Sequence, residues 1–314
     1  LLRPAVLAVQ LSENPSGSAA CLGAPSRLKN VCSPYSEGDR ADVETCHMLG
    51  AISRYGARVL PNTEQIVQQC RKRGELIQGP QIEAFQKAFA NRLGLERATS
   101  ASYGRMAFLY ILKAFQFPPG SEIIFPALTF WVIPELARVA GFKPVFVDID
   151  AETFNLDPKS FERAVTADTV AVVPTHLYGL PCDMDSILSI ARRKQLAVIE
   201  DCAHSLGATY KGQKVGTLSD ASFFSFQTLK PLNTYGGGMA VVRESSLAQR
   251  VADLATAEPD PLPKEILKRF LQGRIQRILT RPAAFTFSAF PILYGASWLN
   301  ARPGVYLWGK IQPL

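Results

Sequence analysis

The chain has 314 residues, 47% of them apolar and 19% charged. That length suits one large domain and a smaller one, and the balance is that of an ordinary soluble globular protein rather than a disordered or fibrous chain. The net charge of +7 is concentrated: residues 264–281 hold six basic residues and one acid. The rest is nearly neutral, which argues against a general nucleic-acid-binding surface.

Six cysteines (Cys21, Cys32, Cys46, Cys70, Cys182, Cys202) form no Cys-x-x-Cys pair and no metal-ligand spacing. Free thiols in a reducing, cytoplasmic compartment are therefore expected. Residues 1–55 are rich in Pro, Ser and Gly and read as an irregular leader, with a small extra structural element as the alternative. Their first apolar run is broken by Arg3 and Pro4, a poor signal peptide.

Regular patterning begins near residue 62. The spacing predicts a helix over 63–73 and a second from Pro80 to Gly94, with Ile82, Phe85, Ala88 and Phe89 on one face. Residues 102–115 predict a third helix, apolar nearly all round and therefore buried. Strands over 122–126, 143–149, 169–174 and 196–200 then alternate with helices near 131–140, 158–165 and 183–194. These strands are short and continuously apolar, as when both sheet faces are covered. Repeated β-α-β units of this spacing predict an α/β fold with a mostly parallel sheet, flanked by helices over 56–255. Ligands of such sheets collect at the carboxyl ends of strands, where His176, Tyr178-Gly179 and Asp201 fall.

Past residue 255 the character changes. A Pro-rich linker leads to the basic helix 264–281, and residues 282–301 then carry no charge. Two Pro, a Gly, hydroxyls and an Asn make those 20 residues a poor membrane span. Ile266, Leu267, Phe270, Leu271, Ile278 and Leu279 fall roughly on one helical face. Residues 264–301 thus read either as a packing surface or as a membrane-surface contact.

Chemistry concentrates in residues 198–240. Asp201 ends an apolar strand; Lys230 follows the strand Ser222-Phe223-Phe224-Ser225-Phe226-Gln227; a Gly run at 236–238 opens the next strand. An acid for a ring nitrogen, an amine for an aldehyde, and hydroxyl and amide donors for a phosphate are the parts that hold pyridoxal phosphate. Asp201 also reads as a plain helix cap, and Lys230 as a solvated surface lysine. The apolar run before Lys230 argues otherwise, because such surroundings disfavour the ammonium form and free the amine as a nucleophile. Ser225 and Gln227 alternate on one strand face and could donate to a phosphate.

Gly104 and Arg105 open the buried helix, whose free N–H groups and dipole suit a phosphate. Phe130, next to Trp131, follows a strand end where a ring could stack on a pyridine face. His204 lies three residues past Asp201, near enough to touch a cofactor hydroxyl. Core aromatic and structural histidine are the alternatives for these two.

Taken together, residues 60–245 resemble the DegT/DnrJ/EryC1/StrS family of fold type I pyridoxal-phosphate sugar aminotransferases. The sharpest pieces are residues 78–90, Phe125-Pro126-Ala127-Leu128-Thr129-Phe130, residues 144–150, His176-Leu177-Tyr178-Gly179 with the following Pro181-Cys182-Asp183, residues 200–212 and residues 216–230. The resemblance implies Lys230 as Schiff-base and proton-transfer residue, Asp201 on the ring nitrogen, His204 beside the ring and Phe130 over its face. It implies Gly104, Arg105 and Ser225 at the phosphate, and Asn233 reaching the phosphate of a partner subunit in a homodimer. The implied substrates are a nucleotide-linked keto sugar and an amino donor, glutamate.

Three departures stand out. The family usually has Gly-Thr where this chain has Gly104-Arg105, and Lys-Asn where it has Lys230-Pro231. Members also continue into a small domain that closes over substrate, which residues 256–314 enter without completing; the stretch 264–310 looks like an insertion. The rival readings are a dehydratase, which resembles this chain with His in place of Lys230, and a non-catalytic or membrane-associated regulator on the same scaffold.

Overall fold

The computed structural model of the chain describes residues 62–292. Of these, residues 62–270 form one unit and residues 271–292 belong to a second. Residues 1–55, expected to form an irregular leader, lie outside the described residues, as does the stretch beyond Ile292.

Helix α1 (Thr63–Arg73) and helix α2 (Pro80–Leu93) each end on a glycine, Gly74 and Gly94, at positive φ. Strand β1 (Ala98–Ala101) leads into α3 (Gly104–Phe115). Then come β2 (Glu122–Pro126), α4 (Val132–Val139), β3 (Lys143–Val147), α5 (Pro158–Ala164), β4 (Thr169–Val172), α6 (Met184–Lys194) and β5 (Ala197–Asp201). A small hairpin, β6 (Thr209–Tyr210) and β7 (Gln213–Lys214), precedes β8 (Ala221–Ser225), β9 (Gly238–Val242) and α7 (Ser245–Thr256). Asp157 and Asp183 cap α5 and α6 by accepting backbone N–H groups, a device worth about 1 kcal/mol each.

Seven strands make one sheet in the order β1-β9-β8-β5-β4-β2-β3. Strand β9 is antiparallel to both neighbours, β1 and β8, while β2–β3, β2–β4, β4–β5 and β5–β8 are parallel. Six strands therefore run one way and β9 alone runs back.

Alternate strand residues feed opposite faces. On one face Ile123, Phe125, Ile199, Phe223 and Ala240 pack with α3, α4 and α7. On the other, Ile124, Val172 and Val198 pack with α5 and α6. Beside these, Phe85 and Phe89 of α2 meet Phe224 and Phe226, with ring centroids 5.0 Å apart for Phe89–Phe224 and 5.6 Å for Phe85–Phe226. Each fully buried ring stabilises the fold by about 1.5–3 kcal/mol.

The structure differs from sequence expectation at several points. Strand β3 is an edge strand, with Lys143 and Phe146 exposed, since no strand among the described residues pairs beyond it. The third helix begins at Gly104, with Ser102 and Tyr103 forming its entry. Gln227 lies past the end of β8, in a turn closed by the Lys230 N–H on the Gln227 carbonyl (2.8 Å), so it does not share a strand face with Ser225.

Helix α8 (Pro263–Leu279) forms where the basic helix is expected. Its apolar residues do not share one environment. Leu267 and Phe270 pack against Ile66, Val67, Cys70 and Leu76, whereas Leu271, Ile278 and Leu279 are exposed. A short turn, α9 (Pro282–Ala284), and a π-turn over Phe285–Ala289 follow. No helix among the described residues is long and apolar enough to cross a membrane.

Candidate active site

Because β1, β2, β4, β5 and β8 point the same way, their carboxyl ends open on one rim, and β9 starts there. The rim collects Gly104 after β1, Thr129 and Phe130 after β2, His176 after β4, Asp201 at the end of β5, and Ser225 at the end of β8. A parallel sheet places its ligands at such ends.

Asp201 is 3% exposed and locked at both backbone groups: its N–H donates to the Pro174 carbonyl (2.9 Å), and its carbonyl accepts the His176 N–H (3.1 Å). The Ala203 N–H donates to Asp201 Oδ1 at 3.0 Å. Burial pushes the Asp201 carboxyl above its usual range, against the pull of the Ala203 N–H and of Lys230. Burial likewise pushes the Lys230 ammonium down, with Asp201 opposing it. The His204 imidazole falls to about 4, through burial first and then the charge of Lys230. Lys230 thus lies within electrostatic reach of both Asp201 and His204, and the uncharged amine is favoured relative to a surface lysine.

Lys230 rides on the connection between β8 and β9. The connection is pinned at its neck, where Phe226 N–H donates to the Gly237 carbonyl and Thr234 N–H to the Phe226 carbonyl, both at 3.0 Å. Asn233 is buried inside this loop, and its Oδ1 accepts the Tyr235 N–H at 2.7 Å.

The start of α3 is pressed against this loop's roots. A Cβ on Gly104 would come within 2.9 Å of Ser225 Cβ and 3.0 Å of the Phe224 carbonyl oxygen. Only glycine lets the helix N-terminus, with its free N–H groups, approach Ser225 so closely. The structure therefore brings Gly104 and Ser225 together. Arg105 turns back over the Tyr103 ring, 4.2 Å from guanidinium to centroid, and Arg269 of α8 lies 4.9 Å from the same centroid.

Tyr178 stacks on His204, with ring centroids 5.9 Å apart and planes 23° from parallel. Its backbone is left-handed (φ 54°), a strained conformation for an aromatic residue and one concentrated at functional sites. Phe130 is 50% exposed and its ring contacts Trp131, so the structure leaves it at the rim without joining it to Asp201. The Thr129 and Thr175 hydroxyls, 3.1 Å apart, hold this loop to the β4 exit.

Beneath Asp201 lies a network that sequence reasoning missed. His176 Nδ1 accepts the Cys182 N–H (3.0 Å), so Nε2 carries the proton and donates to Glu200 Oε2 (3.1 Å). Glu200 also accepts from the Gly216, Leu218 and Ser219 N–H groups and from Ser219 Oγ. Burial would raise this carboxyl, but the donors outweigh it and hold it below its usual range. Glu200, His176 and Cys202 are close enough to hold a metal ion. Both Glu200 oxygens are already engaged, however, and burial pushes the Cys202 thiol up to about 12. The network acts instead to fix the chain around Asp201. A Glu beside Asp in an apolar strand was its sequence signal, since a buried carboxylate needs partners.

Pyridoxal phosphate fits these residues. His204 Nδ1 and Ser102 Oγ, two residues before Gly104, are buried without a hydrogen-bond partner among the described residues. Buried polar atoms left unpaired in a native protein call for a ligand or a functional explanation. An acid, a desolvated amine and a glycine-cleared helix N-terminus on one rim define a carbonyl–amine site on an α/β scaffold.

The sequence pattern of the DegT/DnrJ/EryC1/StrS aminotransferase family matches residues 60–258, and the chain belongs to that family. It is 42% identical over 180 residues to the GDP-perosamine synthase of Caulobacter vibrioides, covering 57% of this chain and 48% of that protein. It is 36% identical over 200 residues to the UDP-2-acetamido-2-deoxy-3-oxo-D-glucuronate aminotransferase of Pseudomonas aeruginosa, covering 63% and 56%. Among solved structures it is similar to DesI in the presence of its TDP-sugar product, with a TM-score of 0.60, 31% identity, and coverage of 64% of this chain and 51% of that one. The chain spans about half the length of the curated relatives it matches.

Proposed function

We propose that this chain carries pyridoxal phosphate and moves an amino group from a donor, glutamate, to a keto group of a nucleotide-linked sugar. The observation that carries the reading is the rim on which Lys230, in electrostatic reach of the buried Asp201, shares its loop roots with the Gly104 helix end packed against Ser225. Relatives whose names specify nucleotide-sugar amination support the substrate class.

When bound, the cofactor supplies a sink for the electron pair left when a donor Cα loses its proton. The chain's own groups do the rest. Lys230 Nζ would bond the cofactor aldehyde, and its free amine would move the donor's Cα proton. Asp201, fixed by the locked β5 end, would keep the ring nitrogen protonated. His204 Nδ1 would hold the ring hydroxyl, Gly104 N–H and Ser225 would hold the phosphate, and Phe130 would cover the ring face. Arg105, held over Tyr103, adds positive charge at the phosphate end. A homodimer would cover Phe130 and bring Asn233 near the partner's phosphate. The buried, unpaired thiols of Cys70, Cys182 and Cys202 support a cytoplasmic setting. Lys230 is the residue that separates this reading from a dehydratase.

The test is an absorbance spectrum of the purified chain with added pyridoxal phosphate, before and after glutamate. The expected result is a visible band that glutamate abolishes and a keto-sugar donor-acceptor assay that turns over. Lys230→Ala should lose both; retained turnover in that variant would refute the assignment.

A further inference from the structure

Residues 263–292 contain six basic side chains and a single acid, Glu265. Arg269 lies over Tyr103 and Phe270 packs edge-on against Tyr235 of the lysine loop, with ring centroids 5.4 Å apart, but the described side chains from Leu271 onward are turned to solvent or only half-buried. Leu271, Ile275, Ile278 and Leu279 recur at spacings of four, three and one along α8, so they form one stripe about 100° wide. All four are exposed, and so are Phe287 (83%) and Ile292 (73%) beyond the helix. Exposed apolar side chains in this concentration mark an interaction surface.

The charges are arranged around that stripe. At 100° per residue, Arg274 and Arg277 line one border, Lys264 and Lys268 continue the stripe at its amino end, and Arg281 follows just past the helix. Glu265 falls off the stripe. A helix with an apolar stripe bordered by Lys and Arg lies in a lipid–water interface, apolar side chains among the acyl chains and cations at the headgroups.

We propose that α8 and the turn after it, residues 263–292, dock the protein on an anionic lipid surface, lying in the plane of the interface rather than crossing it. Charge complementarity selects this occupant. A second copy packed antiparallel on the same face would set the arginine border against itself. A nucleic acid would leave the apolar stripe uncovered. The exposed stripe from Leu271 onward shares no residue with the proposed transamination site, so its failure and the failure of that reading are distinguishable.

The test is flotation of the 314-residue chain with vesicles of phosphatidylglycerol and phosphatidylcholine, and with phosphatidylcholine alone, at low and high salt. The expected result is binding to the anionic vesicles only, weakened by salt. Arg277→Gln with Arg281→Gln should weaken it by about fivefold per charge removed. Ile275→Ser with Ile278→Ser should abolish it, with the far-ultraviolet circular dichroism of either variant unchanged. No flotation with anionic vesicles overturns the proposal. So does equal flotation with both vesicle types, or a dimer in sedimentation that the Ile275→Ser/Ile278→Ser variant dissolves, which would make a second copy the occupant. The salt comparison uses the unaltered chain and decides the matter even where a variant misfolds.

Discussion

Gly238 and Gly104 meet backbone to backbone: a Cβ placed on Gly238 would lie 2.4 Å from the Gly104 amide nitrogen. Strand β9 and helix α3, far apart in sequence, thus share a seam with no room for a methyl group. Gly238→Ala must push the α3 N-terminus away from Ser225. Overpacking of this kind costs about 1–3 kcal/mol. Thermal unfolding should show that loss, and equilibrium dialysis should show weakened pyridoxal phosphate binding.

Glu200→Ala would strand the donors of His176, Gly216, Leu218 and Ser219 inside the protein. Removing one partner of a buried charged network costs about 3–5 kcal/mol. A urea melt should show a midpoint lowered accordingly, with the slope unchanged.

His204 gives a pH dependence with a definite sign. Its folded pKa of about 4 lies below the ordinary 6.5, so the unfolded chain binds more protons between those values. The contribution of neutral His204 is fully present above pH 6.5 and is lost as pH falls toward 4. Melting temperatures of the wild-type chain and His204→Asn across that window should converge as the pH drops. Parallel curves would show that the imidazole does not titrate as its burial dictates.

The two guanidiniums over Tyr103 predict a binding effect rather than a chemical one. Arg269→Ala removes a charge near the α3 N-terminus without touching Lys230 or Asp201. A lost charge-assisted contact to a phosphate is worth about tenfold in affinity. Equilibrium dialysis should show pyridoxal phosphate affinity lowered by about that factor, with kcat at saturating cofactor little changed.

Cys70, Cys182 and Cys202 are buried; burial pushes the Cys70 thiol up and the Cys202 thiol to about 12. A thiolate is the reactive form. Mass mapping after a disulfide reagent should find all three unmodified in the folded protein and labelled after denaturation.

Much of this fold is legible because its strands are apolar on both faces and its helices are bounded by Pro and Gly. The same logic hides other elements. Strand β1, Ala-Thr-Ser-Ala, has no branched apolar residue to announce it; it forms because β9 pairs along its length. Helix α7 carries no strong stop or start beyond Glu244, whose carboxylate caps it. Asp201, Lys230 and His204 are visible by residue type and by their place at strand ends. Glu200, His176 as its partner, and the unpaired Ser102 are not, since their meaning depends on which loops fold beneath the sheet. The pairing of Arg105 with Arg269 spans 164 positions, and no local pattern encodes it.

The solitary reversed strand also decides how this site feels force and heat. Since β9 returns to the rim from which β8 departs, the lysine-bearing segment is a clasp with both hinges on one edge. A molecule gripping Gly104, Asp201 and Lys230 together would cinch three distant stretches of chain into one knot. Occupancy should then be readable without any chemistry, as slower proteolytic clipping between Phe226 and Gly237.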